Sequence, residues 1–423
     1  MRNSLLLLVL LSFSLSSKAA YSDYFLNKTM RIDYIHAGNS HSESYFVQQI
    51  KMEPFWGGSN KNLLDTFKYG DYFFEVYDAE THVLIYSRGY STLFGEWQTT
   101  DQAKAIQKSF YEGIRFPFPK NKVVVKWYSR DWDGVFQLKM ELPVNPKNYF
   151  IDPSLPAPYP VYQTLNSGNP RQKVDIVILP DGYAADEMDK FKADCDKFTE
   201  ELFKYQPYTQ YRKHFNICGI LAPSQESGND IPADSVWKNT QLSSAFYTFD
   251  SERYCMTEDY KSVLDLSANA PCDQIYILVN NTKYGGGAIY NFYNLSVNSN
   301  AQAGKIFIHE LGHGFAGLGD EYFNSSTSYN EFYNPAVEPW EPNITTLVNF
   351  DSKWKNLLSP QTPIPTPDTE EFNQVLGVYE GGGYVAKGVF RPRRDCLMNS
   401  FKGAMFCEAC HEAIIKMILF YSE

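Results

Sequence analysis

The stretch Ile306-Phe-Ile-His-Glu-Leu-Gly-His-Gly-Phe-Ala-Gly-Leu-Gly-Asp-Glu-Tyr322 joins a helical apolar pattern to groups that bind metal or move protons. His309 and His313 are four residues apart, so on a helix both imidazoles project from one face, one turn apart. Two imidazoles so placed can hold one Zn²⁺. Glu310 follows the first His, which sets its carboxylate beside the open coordination position to take a proton from water. The pattern is HExxH. An ordinary amphipathic helix is the competing reading, with Ala303, Ile306 and Phe307 as its buried side, Asn300 as its cap and Gly312 permitting close approach. A helix that turned two His and a Glu inward without a metal would leave buried polar groups unsatisfied, which favours zinc.

A catalytic zinc takes three protein ligands and a water. His36, His41, His82, His214 and His411 all lie far from this stretch. Asp320 and Glu321 follow Gly317 and Gly319, which let the chain leave the helix and turn a carboxylate back toward the metal. Adjacent side chains of an extended segment point to opposite sides, so only one of the pair faces the ion, and spacing alone does not select it.

Outward from this stretch the chain divides by period. Residues 21–151 hold short β-branched and aromatic runs, among them Met30–Ile35, Asp71–Tyr77, His82–Ser87, Lys122–Tyr128 and Val135–Glu141, with Asp133-Gly134 as a tight turn. They predict an all-β sandwich. Residues 152–171 open with Asp152-Pro-Ser-Leu-Pro-Ala-Pro-Tyr-Pro160 and read as a stiff linker. In residues 172–423, strands at Lys173–Leu179, His214–Leu221 and Gln274–Val279 alternate with a helical pattern over Ala185–Tyr205, which predicts an α/β domain with a mostly parallel sheet. A boundary in the linker predicts that proteolysis there releases two self-sufficient domains.

Composition narrows the function classes. With 38 basic against 49 acidic residues the chain carries a formal charge of −11, so no basic surplus supports nucleic-acid or anionic-membrane binding. Residues 1–20 combine Arg2, the apolar run Leu5–Leu11 and small residues at Ala19-Ala20, which predicts a secretory signal peptide cleaved there. No later run is long enough to span a bilayer, so a secreted, periplasmic or cell-surface protein is expected, without stable membrane insertion. In such a compartment the seven cysteines, none of them before Cys195, read as disulfide partners with at least one left over. Cys407-Glu-Ala-Cys-His411 matches the covalent haem pattern but begins the last amphipathic segment, so it too reads as a structural disulfide.

The zinc stretch, His309-Glu-Leu-Gly-His-Gly-Phe-Ala-Gly-Leu-Gly-Asp-Glu-Tyr322, resembles that of the IgA-peptidase family of zinc metallopeptidases, secreted bacterial enzymes related to the metzincins. Gly317 and Asp320 each fall one residue later than the metzincin pattern places them, an insertion that the family version tolerates. The resemblance implies a metzincin-like peptidase domain behind a β-rich domain, Asp320 as third ligand, and Glu321 orienting a histidine or the loop from behind. Arg394-Asp-Cys-Leu-Met-Asn-Ser-Phe401 resembles the Met-turn beneath the metal, with Met398 as its methionine and Ser400 where some relatives carry a ligand Tyr. In metzincins the strand before the zinc helix binds substrate main chain, which implies that role for Gly286, Gly287 and Ala288 within Tyr284–Tyr293. The expected function is a zinc endopeptidase acting on protein or peptide substrates. The rival, from another class, is an adhesion protein recognising a glycan or surface protein beside a vestigial zinc site; retention of Glu310 favours the enzyme.

Overall fold

The structure is a computed structural model that describes residues 20–155, 158–323, 332–402 and 405–423; apart from Ala20, the expected signal peptide lies outside them. After a helical turn α1 (Tyr21–Tyr24), the long strand β1 (Phe25–Asn39) pairs antiparallel with β2 (Ser42–Glu53). A second sheet begins with β3 (Tyr72–Asp78) and β4 (Leu84–Tyr90). Two short helices, α2 (Leu93–Gln98) and α3 (Asp101–Ala105), lead to β5 (Lys108–Pro119), which pairs with β1 in the first sheet. Strands β6 (Val123–Arg130) and β7 (Phe136–Val144) complete the second sheet in the order β4-β3-β6-β7. Alternation along β6 buries Val123, Val125 and Trp127, which share one apolar cluster with Ile32 and Phe116 of the other sheet. Two antiparallel sheets facing across one core are the layers expected of a sandwich. Strands β2 and β5 lack a sequence signal because only Lys51 and Glu53 of β2 are buried and β5 holds Gly113, Pro117 and Pro119. As an edge strand in the order β2-β1-β5, β5 tolerates those prolines.

The second half is built on a six-stranded mixed sheet. Its strands are β8 (Val161–Leu165), β9 (Val174–Asp181), β10 (Phe215–Ile220), β11 (Gln274–Val279), β12 (Gly286–Ile289) and β13 (Tyr293–Val297), in the order β12-β13-β11-β9-β10-β8. The four central strands are parallel and both edges antiparallel. Every residue of β9 and β11 is buried, as in strands covered on both faces. On one face α4 (Met188–Leu202), α6 (Ala303–Ala316) and α7 (Glu408–Ser422) bring Phe198, Phe307 and Ile414 against Ile176, Ile178 and Tyr276. On the other face lie α5 (Tyr260–Ser267) and, from the first half, Phe94 and Trp97 of α2 and Phe110 of β5.

Three expectations are corrected here. Residues 161–165 of the expected linker are strand β8, paired with β10, because the proline run stops at Pro160 and leaves the next N–H groups free for a ladder. The two halves share a core across the expected boundary rather than standing apart: α2 covers the sheet of the second half, and the fully buried Arg31 binds both Asp33 at 2.6 Å and Asp265 of α5 at 2.7 Å. All seven cysteines are free rather than paired. Cys195, Cys218 and Cys255 serve as small apolar groups in the cores, and Cys396, Cys407 and Cys410 cluster without bonding.

Candidate metal centre

Helix α6 is fixed from behind. Phe307 stacks on Tyr276 of β11 at 4.0 Å and on Phe198 of α4 at 5.0 Å, and the Tyr276 hydroxyl donates to the Phe307 carbonyl at 3.1 Å. Asn300 organises the preceding turn by accepting the Gln302 N–H at 2.9 Å, and Gln302 occupies the cap position without a side-chain bond. His309, Glu310 and His313 line the cleft on the other side. The helix stops at Gly317, whose φ of +65° is a left-handed turn that an L side chain adopts at a cost. The N–H groups of Gly317 and Leu318 then bond back to the carbonyls of His313 and Gly312 at 3.0 and 3.1 Å, which starts the extended segment that delivers Asp320.

Both imidazoles are oriented by carbonyl oxygens. His309 Nδ1 donates to Leu397 O at 3.0 Å and His313 Nδ1 to Leu318 O. A carbonyl can only accept, so each Nδ1 carries a proton and, in the neutral ring that binds a metal, each Nε2 presents a lone pair. These two Nε2 atoms are 3.1 Å apart, and Asp320 Oδ1 lies 3.2 Å from one and 3.3 Å from the other. Oδ1 is buried without an aligned hydrogen bond, whereas Oδ2 accepts from the Tyr322 hydroxyl at 2.8 Å and from Tyr384. Three lone-pair atoms converging this closely repel one another unless a cation sits among them. A tetrahedral ion with bonds of about 2.0–2.1 Å spaces its ligands about 3.3 Å apart. The donor set therefore fits Zn²⁺.

Without an ion the same side chains compensate one another. Burial opposes the imidazolium, yet Asp320 pulls His313 up to about 9. Burial opposes the carboxylate too, yet both imidazoles hold Asp320 well below the usual range. Glu310, beside this cluster, is pushed up by burial, which the two imidazoles partly offset.

The remaining sequence-named residues fall around this centre. Gly286 of β12 passes so close over the helix that a Cβ there would lie 3.0 Å from Glu310 Oε1 and 2.9 Å from Ile306 Cγ2. Its outward N–H donates to Arg253 O and its carbonyl accepts from Cys255 N–H, both at 3.2 Å. Gly287 faces β13 in the ladder. By the same alternation the Ala288 N–H and carbonyl point away from β13, and Ala288 lines the cleft. Met398 is buried under the helix, 2.9 Å from where a Gly312 Cβ would be, and its carbonyl accepts the Glu321 N–H at 2.8 Å. Glu321 turns the opposite way from Asp320: its Oε1 accepts from Asn343 at 3.0 Å, and Asn343 in turn grips both backbone groups of Gly319. Of its two expected tasks, the contacts are with the loop rather than with a histidine.

Two tyrosines at the centre had no role in the sequence reading. Tyr322 carried a signal, since it lies two residues beyond Asp320 on the same side of an extended segment. Tyr384 carried none, because it reaches Asp320 from a distant hairpin of β14 (Tyr379–Gly382) and β15 (Val385–Arg391). The sequence also gave no sign that the first half walls the cleft. The cavity of about 960 Å³ is bounded on that side by Glu43, Asp71, Arg130 and Trp132. Trp340 Nε1 donates to Asp71 at 3.1 Å and Asn334 to the Trp132 carbonyl at 2.8 Å, which ties the wall to the loop after the centre.

The family model described as IgA peptidase M64 matches residues 163–374 and 368–418, and the one described as peptidase M64 N-terminus matches residues 20–141. The chain belongs to the IgA peptidase M64 family. No curated protein matches it. The match of this M64 member begins within β8 and takes in every residue of the centre, and family membership makes the protein a peptidase, a hydrolase of protein or peptide substrates.

Proposed function

We propose that the protein is an exported, zinc-dependent endopeptidase with a metzincin-like catalytic half. The observation that carries this is the triangle of His309 Nε2, His313 Nε2 and Asp320 Oδ1, 3.1–3.3 Å on a side, with Glu310 beside it in a cleft. Bound there, zinc would supply a Lewis acid that polarises a peptide carbonyl and lowers the pKa of water. Glu310 accepts a proton from the attacking water and passes it to the leaving amine, a role that a carboxyl with a raised pKa suits in both directions. Asp320 is held for ligation by Tyr322 and Tyr384 on its other oxygen. The Ala288 N–H and carbonyl bind the substrate main chain as an added strand, while Gly286 leaves room for Glu310. Export rests on the leader pattern that ends near Ala19-Ala20.

The test is Glu310→Gln, assayed on a proteome-derived peptide library read by mass spectrometry. Zinc content should stay at the wild-type value while cleavage falls by ~10³-fold or more, since the base is lost and the ligands are not. Undiminished cleavage by this variant would remove the role given to Glu310.

A further inference from the structure

Behind the centre lies a second convergence of metal-binding groups, from residues that peptide hydrolysis does not use. Cys396, Cys407 and Cys410 are buried, and the Glu321 carboxylate, fully buried, is aimed among them. Cys407 Sγ and Cys410 Sγ are 3.4 Å apart, Cys396 Sγ and Cys410 Sγ 3.8 Å, and Glu321 Oε1 lies 3.4 Å from Cys410 Sγ and 3.8 Å from Cys407 Sγ. All four donor atoms fall within 4.8 Å of one another, and Glu321 Oε2 has no hydrogen-bond partner among the described residues. A tetrahedral zinc with Zn–S bonds of about 2.3 Å sets its sulfurs about 3.8 Å apart, and sulfur from oxygen about 3.5 Å. A disulfide would instead draw two sulfurs to about 2.05 Å, and leave a third thiol beside the buried carboxylate.

We infer that Cys396, Cys407, Cys410 and Glu321 form a second, structural zinc site with no open coordination position. On binding, the thiols release their protons to solvent and the carboxylate meets a cation. Compensation for the remaining negative charge is at hand: Cys407 is the N-cap of α7, and the Arg391 guanidinium attracts Glu321. The placement gives the site its task. Cys396 precedes Leu397, whose carbonyl holds His309, and Glu321 follows Asp320, so one ion would pin both supports of the catalytic triangle to α7.

The experiment uses the full-length chain purified from zinc-replete cells under reducing conditions. Elemental analysis should give two zinc per wild-type chain, one in His309→Ala/His313→Ala and one in Cys407→Ser/Cys410→Ser. Should the cysteine variant fail to fold, the histidine variant decides alone. Stripped and given Co²⁺, it should bind one ion and show the near-ultraviolet thiolate-to-metal band together with tetrahedral visible bands. A histidine variant that binds no metal, cobalt bound without the thiolate band, or a Cys407–Cys410 disulfide mapped in the purified protein overturns the inference. A wild type with a single zinc that survives in the histidine variant upholds this site and counts against the catalytic one, so the two readings fail separately.

Discussion

Tyr384→Phe removes one hydroxyl and little else. In the structure Asp320 Oδ2 accepts from two hydroxyls, Tyr322 at 2.8 Å and Tyr384, and this leaves Oδ1 pointed at the two imidazoles. A hydrogen bond to a charged group contributes ~1.5–3 kcal/mol, so losing one should weaken zinc at this centre ~10–100-fold. The assay is reactivation of the metal-free chain: zinc is buffered by a chelator and the free concentration that restores half of peptidase activity is read. Tyr322→Phe should shift this midpoint in the same direction, and the double variant further. In an Asp320→Ala background, Tyr384→Phe should have no further effect, because its acceptor is gone. An unchanged midpoint with a depressed kcat would show that Tyr384 acts on the substrate, and would refute its role as the orienter of Asp320.

Ala288→Pro deletes an N–H that points into the cleft without touching the ladder to β13, so kcat/KM on peptides should fall ~3–10-fold with zinc content unchanged; equal loss of metal would show a structural effect instead. Trp97→Ala should cost ~3–5 kcal/mol and move one cooperative urea transition of the whole chain, because its side chain sits in a core shared by both halves; two transitions with only one displaced would contradict the shared core. Burial pushes Asp175 up to about 9, with repulsion from Asp273, and burial pushes Asp273 up to about 7. The folded chain then holds more protons than the unfolded one above about pH 4, so this pair's stabilisation is complete below that pH and is lost as pH rises through the folded values, at up to ~1.4 kcal/mol per pH unit for each extra proton. Melts between pH 5 and pH 8 should show a stability loss that Asp175→Asn reduces; parallel slopes would exclude the pair as its source.

The helix that carries His309, Glu310 and His313 was legible because its information is local. Four-residue spacing of His309 and His313, the apolar face around Phe307 and the turn at Gly317 all lie within 14 residues of one another, and the structure keeps each of them. The buried strands β9 and β11 were legible for the same reason, as continuous apolar runs. What escaped was settled at long range. β2 shows no apolar alternation because its only buried residues are Lys51 and Glu53, and β5 survives its prolines by lying at an edge. The cysteines were assigned by compartment, yet their pairing depends on where 396, 407 and 410 meet in space. That α2 would cover the other half's sheet is a property of two surfaces, and no single-segment pattern records it.

The edge of β12 has a consequence for what the protein can cut. One register position is already taken by the 253–255 segment, and the next, at Ala288, offers an N–H and a carbonyl. A visiting chain can use them only with its own backbone groups unpaired, so a residue inside a helix or an inner strand of its target is chemically invisible here until that region opens. The rate at a given bond then includes the opening equilibrium of the target: each 1.4 kcal/mol of local stability around the bond slows cleavage about tenfold. Selectivity would follow where a client protein is frayed, and two clients with identical residues at the bond could differ by orders of magnitude in survival.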